Sequence, residues 1–291
     1  MEISASQVKE LREKTGLGMM ICKQALIDAN GDMSVAIENL RKQGQATAAK
    51  RAGKAVKEGK VTIISDNSTA VVYEVNSETD FVARNDDFVK FVSELGKLLI
   101  EKKPADINEA KNLVSPVFGN ITVENRVTEL IGKIGENITF RRYDKVDAVS
   151  TNEKIFTYLH GNGRIGVVVK LTADSGLDTE AMAVLGKDIA MQVAASNPLA
   201  VDSEAISADV IAKEKEIYFT QAQSSGKPEK IWDKIVEGKL AKYFQDVTLL
   251  GQAFIKNPEE SVANRIKETE KELKAKIKVL SFVRLELGAE E

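Results

Sequence analysis

Cysteine and histidine each occur once, as Cys22 and His160. A single cysteine excludes an internal disulfide. One residue of each kind also cannot build a Cys/His zinc cluster, or a Ser-His-Asp array with a histidine to spare. No stretch approaches the ~18 uninterrupted apolar residues of a membrane helix. The opening "MEISASQVKE" lacks a signal-peptide core, so the expected compartment is cytoplasmic. The net charge of −3 argues against a protein that coats nucleic acid through bulk electrostatics. Most common enzyme chemistries are thereby removed, and neither a metal nor a cofactor is expected. What is present is ordinary globular material: 43% hydrophobic and 29% charged residues in a chain of 291, enough for two or three domains with a substantial core.

The pattern along the chain predicts an α+β fold. Ser6 is positioned to cap a first helix ending at "TGLG" (15–18). "MMICKQALIDA" (19–29) reads as a second helix, and a third starts at Asp32 or Ser34 and closes at Gly44. The Ala/Lys-rich segment that follows, up to Lys60, reads as a helical or flexible linker. "KVTIISDNSTAVVYEVN" (60–76) is strand, Asp-Asn-Ser turn, strand. The next helix carries Phe88, Phe91, Val92, Leu95, Leu98 and Leu99 on one face. "KIFTYLHGNGRIGVVVKLT" (154–172) repeats the hairpin, again with a helix behind it, from Thr179 to Ser196 with Val184, Leu185, Ile189 and Val193 in register. A helix capped by Thr122 runs to Gly135. Segments 208–223 and 227–244, joined by "SSG", predict a projecting antiparallel helical hairpin, Pro228 suiting a first helical turn. "IKVLSFVRLELG" (277–288) is a final strand. The resulting division is 1–45, a 46–59 basic linker, 60–140, a discontinuous 141–200 with 240–291, and the hairpin at 201–239.

Each candidate site has a bland reading beside a functional one. "GNGRIG" (161–166) matches a dinucleotide fingerprint literally, but a strand follows it where a helix is required, so Asn162-Gly163 reads as a type I′ turn. His160, at a strand end, is an ordinary surface or core residue or a partner contact. Met19 and Met20 point ~100° apart on a helix, which allows one to be buried and the other exposed. Lys50, Arg51, Lys54, Lys57 and Lys60 form a solvated linker or an RNA contact without interleaved aromatics. Phe81, in the polar stretch "NSETDFVARN" (76–85), is a loop anchor or a binding hot spot. The corresponding loop of the second repeat, "ADSGLDTEA" (173–181), folds without an aromatic, which favours the hot spot.

"LREKTGLGMMICKQAL" (11–26) and "EVNSETDFVAR" (74–84) resemble the two signature regions of the elongation factor Ts family. "KIGENITFRR" (133–142), "YLHGNGRIGVVV" (158–169), "AMQVAASNP" (190–198) and "FVRLELG" (282–288) are also similar to family segments, in the expected order. The resemblance implies a ubiquitin-associated-like (UBA-like) three-helix domain at 1–45, two related α+β core subdomains and an inserted helical hairpin. It implies a non-enzymatic guanine-nucleotide exchange factor that binds elongation factor Tu at its GTPase domain and the adjoining domain. Asp80 and Phe81, flanked by Thr79 and Val82, are implied to contact the GTPase domain, with Ile134 and Gly135 beside them. Met19 and Met20, with Arg12 and Lys23, are implied to grip the same domain, and His160 to face the partner. Ile21 stands where the family commonly has a polar residue and reads as added core. A homodimer is left open, and the alternative function is an RNA- or ribosome-binding module using the basic linker.

Overall fold

The computed structural model describes residues 3–66 and 68–290, so the expected turn at 66–68 lies in part, at Asn67, outside the described residues. The chain is α+β, with N-terminal helices followed by helices mixed with small antiparallel sheets. It divides into two compact units, one of residues 1–64, 73–145 and 286–291, the other of residues 65–72 and 146–285.

The first unit opens with α1 (Ala5–Thr15), α2 (Met19–Asp28) and α3 (Met33–Arg51). Ser4, rather than the expected Ser6, caps α1. Its hydroxyl accepts the Gln7 N–H while the Gln7 side chain accepts the Ser4 N–H. Only Ser4 has a Gln three residues on to complete that reciprocal pair, whereas Ser6 faces Lys9. Asp32 caps α3 through the Ser34 and Val35 N–H groups. Val8, Leu11, Cys22, Ala25, Leu26, Ala36 and Leu40 make the common core of the three helices.

After α3 come β1 (Glu58–Ser65), β2 (Thr69–Ser77), α4 (Asp80–Ala83), α5 (Asp86–Lys102), α6 (Ile107–Asn112), β3 (Val114–Ser115), β4 (Ile121–Thr122), α7 (Val123–Ile134) and β5 (Ile138–Asp147). The sheet order β1-β2-β5 puts β2 in the centre, and every residue of β2 is buried. The six apolar residues expected on one face of α5 are all buried. Thr122 caps α7 and Gly135 ends it in a left-handed conformation, as the pattern predicts. Helix α3 does not close at Gly44. The alanines that follow favour helix, and Gly44 serves as a contact: a Cβ on Gly132 of α7 would stand 2.7 Å from the Gly44 Cα. The two glycines let the α3 and α7 backbones meet. Buried Glu74 on β2 is matched by Arg141 and Arg142 of β5 and by the Gly288 N–H.

The second unit contains β6 (Glu153–His160), β7 (Ile165–Ala173), α8 (Glu180–Ser196), α9 (Ala208–Gln223), α10 (Trp232–Val247), β8 (Ala253–Phe254), β9 (Asn257–Ser261), α11 (Val262–Leu273) and β10 (Ile277–Glu286). Its main sheet has the order β10-β7-β6, with β6 and β7 antiparallel. The "GNGRIG" segment is indeed a hairpin, but its connection has four residues where two were expected. His160 pairs with Ile165, and Gly161, Asn162 and Gly163 all have positive φ. On α8, Leu185, Ile189 and Val193 are buried together with Met182, whereas Val184 is exposed, since it sits a ~100° step away from that stripe. Gly186 lies on the stripe because Phe156 occupies the place of a Cβ. Helices α9 and α10 share a narrow apolar seam of Ala222, Val236 and Leu240. Pro228 precedes a one-turn 3-10 helix (Glu229–Ile231) instead of sitting in the first turn of α10. Among the described residues, no helix is long and apolar enough to cross a membrane.

Candidate partner-binding site

Strand β2 ends at Ser77, and the chain then has two residues in which to turn into α4. Thr79 makes the turn. Its hydroxyl oxygen accepts the Val82 N–H at 3.4 Å, and the Ser77 hydroxyl donates to the Thr79 carbonyl at 2.9 Å. The Glu136 carboxylate, two residues past the end of α7, receives the Thr79 N–H at 3.0 Å and the Thr79 hydroxyl at 2.8 Å. Glu78 is held in turn: it accepts the Asn137 N–H at 2.6 Å and pairs with Arg51 at 3.3 Å. Charge-assisted bonds of this kind are about twice as strong as neutral ones.

With its start fixed, α4 turns Val82 and Ala83 inward and leaves Phe81 80% exposed. Asp80 is half-buried and pairs with Arg84 at 2.9 Å. The loop anchor is therefore Val82 with Ala83, and Phe81 is not an anchor. Of the expected contact residues, Val82 is the one whose side chain faces the core.

Met19 and Met20 are 54% and 76% exposed, so neither is core. Helix α2 is entered from Gly18 without a side-chain cap and buries Cys22, Ala25 and Leu26, leaving Met19 and Met20 of its first turn outside that buried set. Ile21 is exposed as well, against the expectation that it adds core. Arg12, on α1, and Lys23, on α2, are exposed. The end of α7 joins the two clusters. Lys133 Nζ sits 2.7 Å from where a Gly16 Cβ would stand, in the α1–α2 turn, and 2.6 Å from Asp87 at the start of α5. Three residues on, Glu136 holds Thr79. Ile134 and Gly135 lie between these two ties, half-buried, Gly135 with φ 85.

His160 is exposed at the end of β6 in the second unit, where its Nδ1 is 2.9 Å from the Tyr158 hydroxyl. Of the basic linker, Arg51 is taken up by Glu78. Among the described residues, no group of three or more His, Cys, Asp or Glu side chains is placed to hold a metal ion. Reasoning from sequence missed Lys133, Glu136, Asn137 and Glu78. The available signal was the run of polar residues directly after the Gly135 cap, with no helix of its own to serve.

The family model described as "Elongation factor TS" matches residues 78–289. An elongation factor Ts of Clostridium novyi (strain NT) is 44% identical, covering 98% of this chain and 93% of the relative. The chain belongs to the elongation factor Ts family. That of Methylococcus capsulatus is 45% identical over 99% of this chain and 93% of its own length. That of Prosthecochloris aestuarii is 43% identical over 99% of both. Elongation factor Ts proteins are the nucleotide exchange factors of elongation factor Tu in translation elongation, and they act by binding rather than by covalent chemistry. The family match begins at Glu78, so it includes the whole of the Thr79–Phe81 turn and its Glu136 support.

Proposed function

We propose that this chain docks on elongation factor Tu through Asp80 and Phe81, with Phe81 entering an apolar pocket between helices of the GTPase domain. Ile134 and Gly135 flank that contact. Met19 and Met20, with Arg12 and Lys23, grip the same domain, and His160 faces the partner. In this scheme residues 1–45 are a UBA-like domain, 60–140 and the discontinuous 141–200 with 240–291 are two related core subdomains, and 201–239 is an inserted hairpin. The factor acts in the cytoplasm. Exchange follows from negative coupling: factor and nucleotide bind one protein and weaken each other by the same factor. A thousandfold weakening needs about 4 kcal/mol of differential interaction. A buried aromatic hot spot supplies on the order of 2 kcal/mol or more of that.

The observation that carries the proposal is the 80% exposure of Phe81 on a turn that buries Val82 and Ala83 and whose first residue, Thr79, is held by a carboxylate. An apolar ring held in water by a rigid support is arranged for a pocket outside the molecule. The test is release of fluorescently labelled GDP from elongation factor Tu. The wild-type chain accelerates release in proportion to its concentration, and absence of acceleration contradicts the proposal.

A further inference from the structure

We propose that Met19 and Met20 form a peroxide-sensitive site whose conversion to methionine sulfoxide weakens docking on elongation factor Tu. The inference rests on the binding role given above to the first turn of α2. Among the described methionines the exposure is uneven. Met19 and Met20 are 54% and 76% exposed, Met182 is fully buried, and Met33 and Met191 are partly covered. Oxidation needs the sulfur lone pair to meet the oxidant, so exposure sorts the five residues. Both exposed methionines fall on one turn, next to exposed Ile21, rather than being scattered over the surface.

The step is balanced with hydrogen peroxide as the oxidant. The thioether sulfur attacks one peroxide oxygen, an S–O bond forms and the O–O bond breaks. The departing hydroxide takes up the remaining proton as water, the sulfur losing two electrons and the peroxide gaining them. The product is a polar, chiral side chain in place of a flexible apolar one, and the change is reversible in principle by a reductase. Docking then has to strip water from two new S=O acceptors. An unsatisfied buried polar group costs enough to weaken binding about tenfold or more. Helix α2 itself is not threatened, because neither side chain belongs to the buried set of Cys22, Ala25 and Leu26.

The full chain is treated with hydrogen peroxide, the peroxide is destroyed with catalase, and peptides are measured by mass spectrometry. Met19 and Met20 are expected to oxidise at least ~10-fold faster than Met182, in keeping with their exposure. In the preformed complex with elongation factor Tu both are expected to be protected. Treated chain is then assayed for labelled GDP release beside untreated chain, and beside Met19→Leu/Met20→Leu with and without treatment. The expected result is that treatment raises the factor concentration needed for half-maximal release about tenfold in the wild type. The treated-to-untreated ratio of the double variant stays near one, whatever its own rate. Equal oxidation of Met182, lack of protection in the complex, or full activity with both sulfoxides formed overturns the proposal. The untreated chain keeps this distinct from the exchange reading: that reading fails only if untreated wild type does not accelerate release.

Discussion

The Glu136 carboxylate receives both the backbone N–H and the hydroxyl of Thr79, at 3.0 and 2.8 Å, across 57 positions of sequence. Thr79 begins the turn that carries Phe81, so Glu136 helps to set where the ring stands. Glu136→Gln keeps the shape but turns one acceptor into a donor facing a donor. A lost hydrogen bond of this type is worth ~1 kcal/mol, so affinity for elongation factor Tu should fall about fivefold. The sharper check is a double-mutant cycle. If Glu136 acts by placing Phe81, Glu136→Gln changes GDP release little once Phe81 is already alanine.

The contact between α3 and α7 predicts an asymmetry between two glycines. A Cβ on Gly132 would meet the Gly44 Cα at 2.7 Å, whereas one on Gly44 finds the Gly132 Cα at 3.8 Å, an ordinary contact. Gly132→Ala should therefore destabilise by ~1–3 kcal/mol, the usual cost of overpacking. Gly44→Ala should be neutral or stabilising by up to ~1 kcal/mol through helix propensity. Urea unfolding of the two variants separates them.

Tyr73 supplies a pH dependence. Its ring is buried and its hydroxyl donates to the Val92 carbonyl at 2.7 Å, with Gly96 leaving room for it. Burial pushes the phenol pKa up, since the ionised form loses its hydration. The folded chain therefore holds the Tyr73 proton to higher pH than the unfolded chain, whose phenols titrate near ~10. Stability from this group is complete below that pH and is lost as pH rises through the raised folded value. Tyr73→Phe should cost ~1 kcal/mol at neutral pH through the lost hydrogen bond. It should also make the fall in stability above pH ~10 shallower, as read by urea unfolding across pH.

The elements were legible wherever local pattern decides structure. The α5 face and the Thr122 cap follow from periodicity and capping chemistry, and each stands where it was expected, while the β6–β7 hairpin forms with a connection two residues longer than expected. Gly44 was misread because a glycine that ends a helix and one that admits another backbone look alike until α7 is in place. Ile21 does not add core because it sits a ~100° step away from the buried stripe of Cys22, Ala25 and Leu26. At the site, Phe81 could be singled out from the sequence as an aromatic the turn does not need. Its support could not, since Glu136, Asn137 and Arg51 reach it only through the tertiary fold.

Phe81→Ala tests the central claim most directly, measured at once by labelled GDP release from elongation factor Tu and by urea unfolding. An exposed partner-facing ring predicts release slowed at least tenfold at subsaturating factor, about the loss of a hot-spot aromatic. Its unfolding free energy should stay within ~0.5 kcal/mol of wild type, as for a surface substitution. Wild-type exchange, or a loss of exchange matched by a loss of stability, would contradict it.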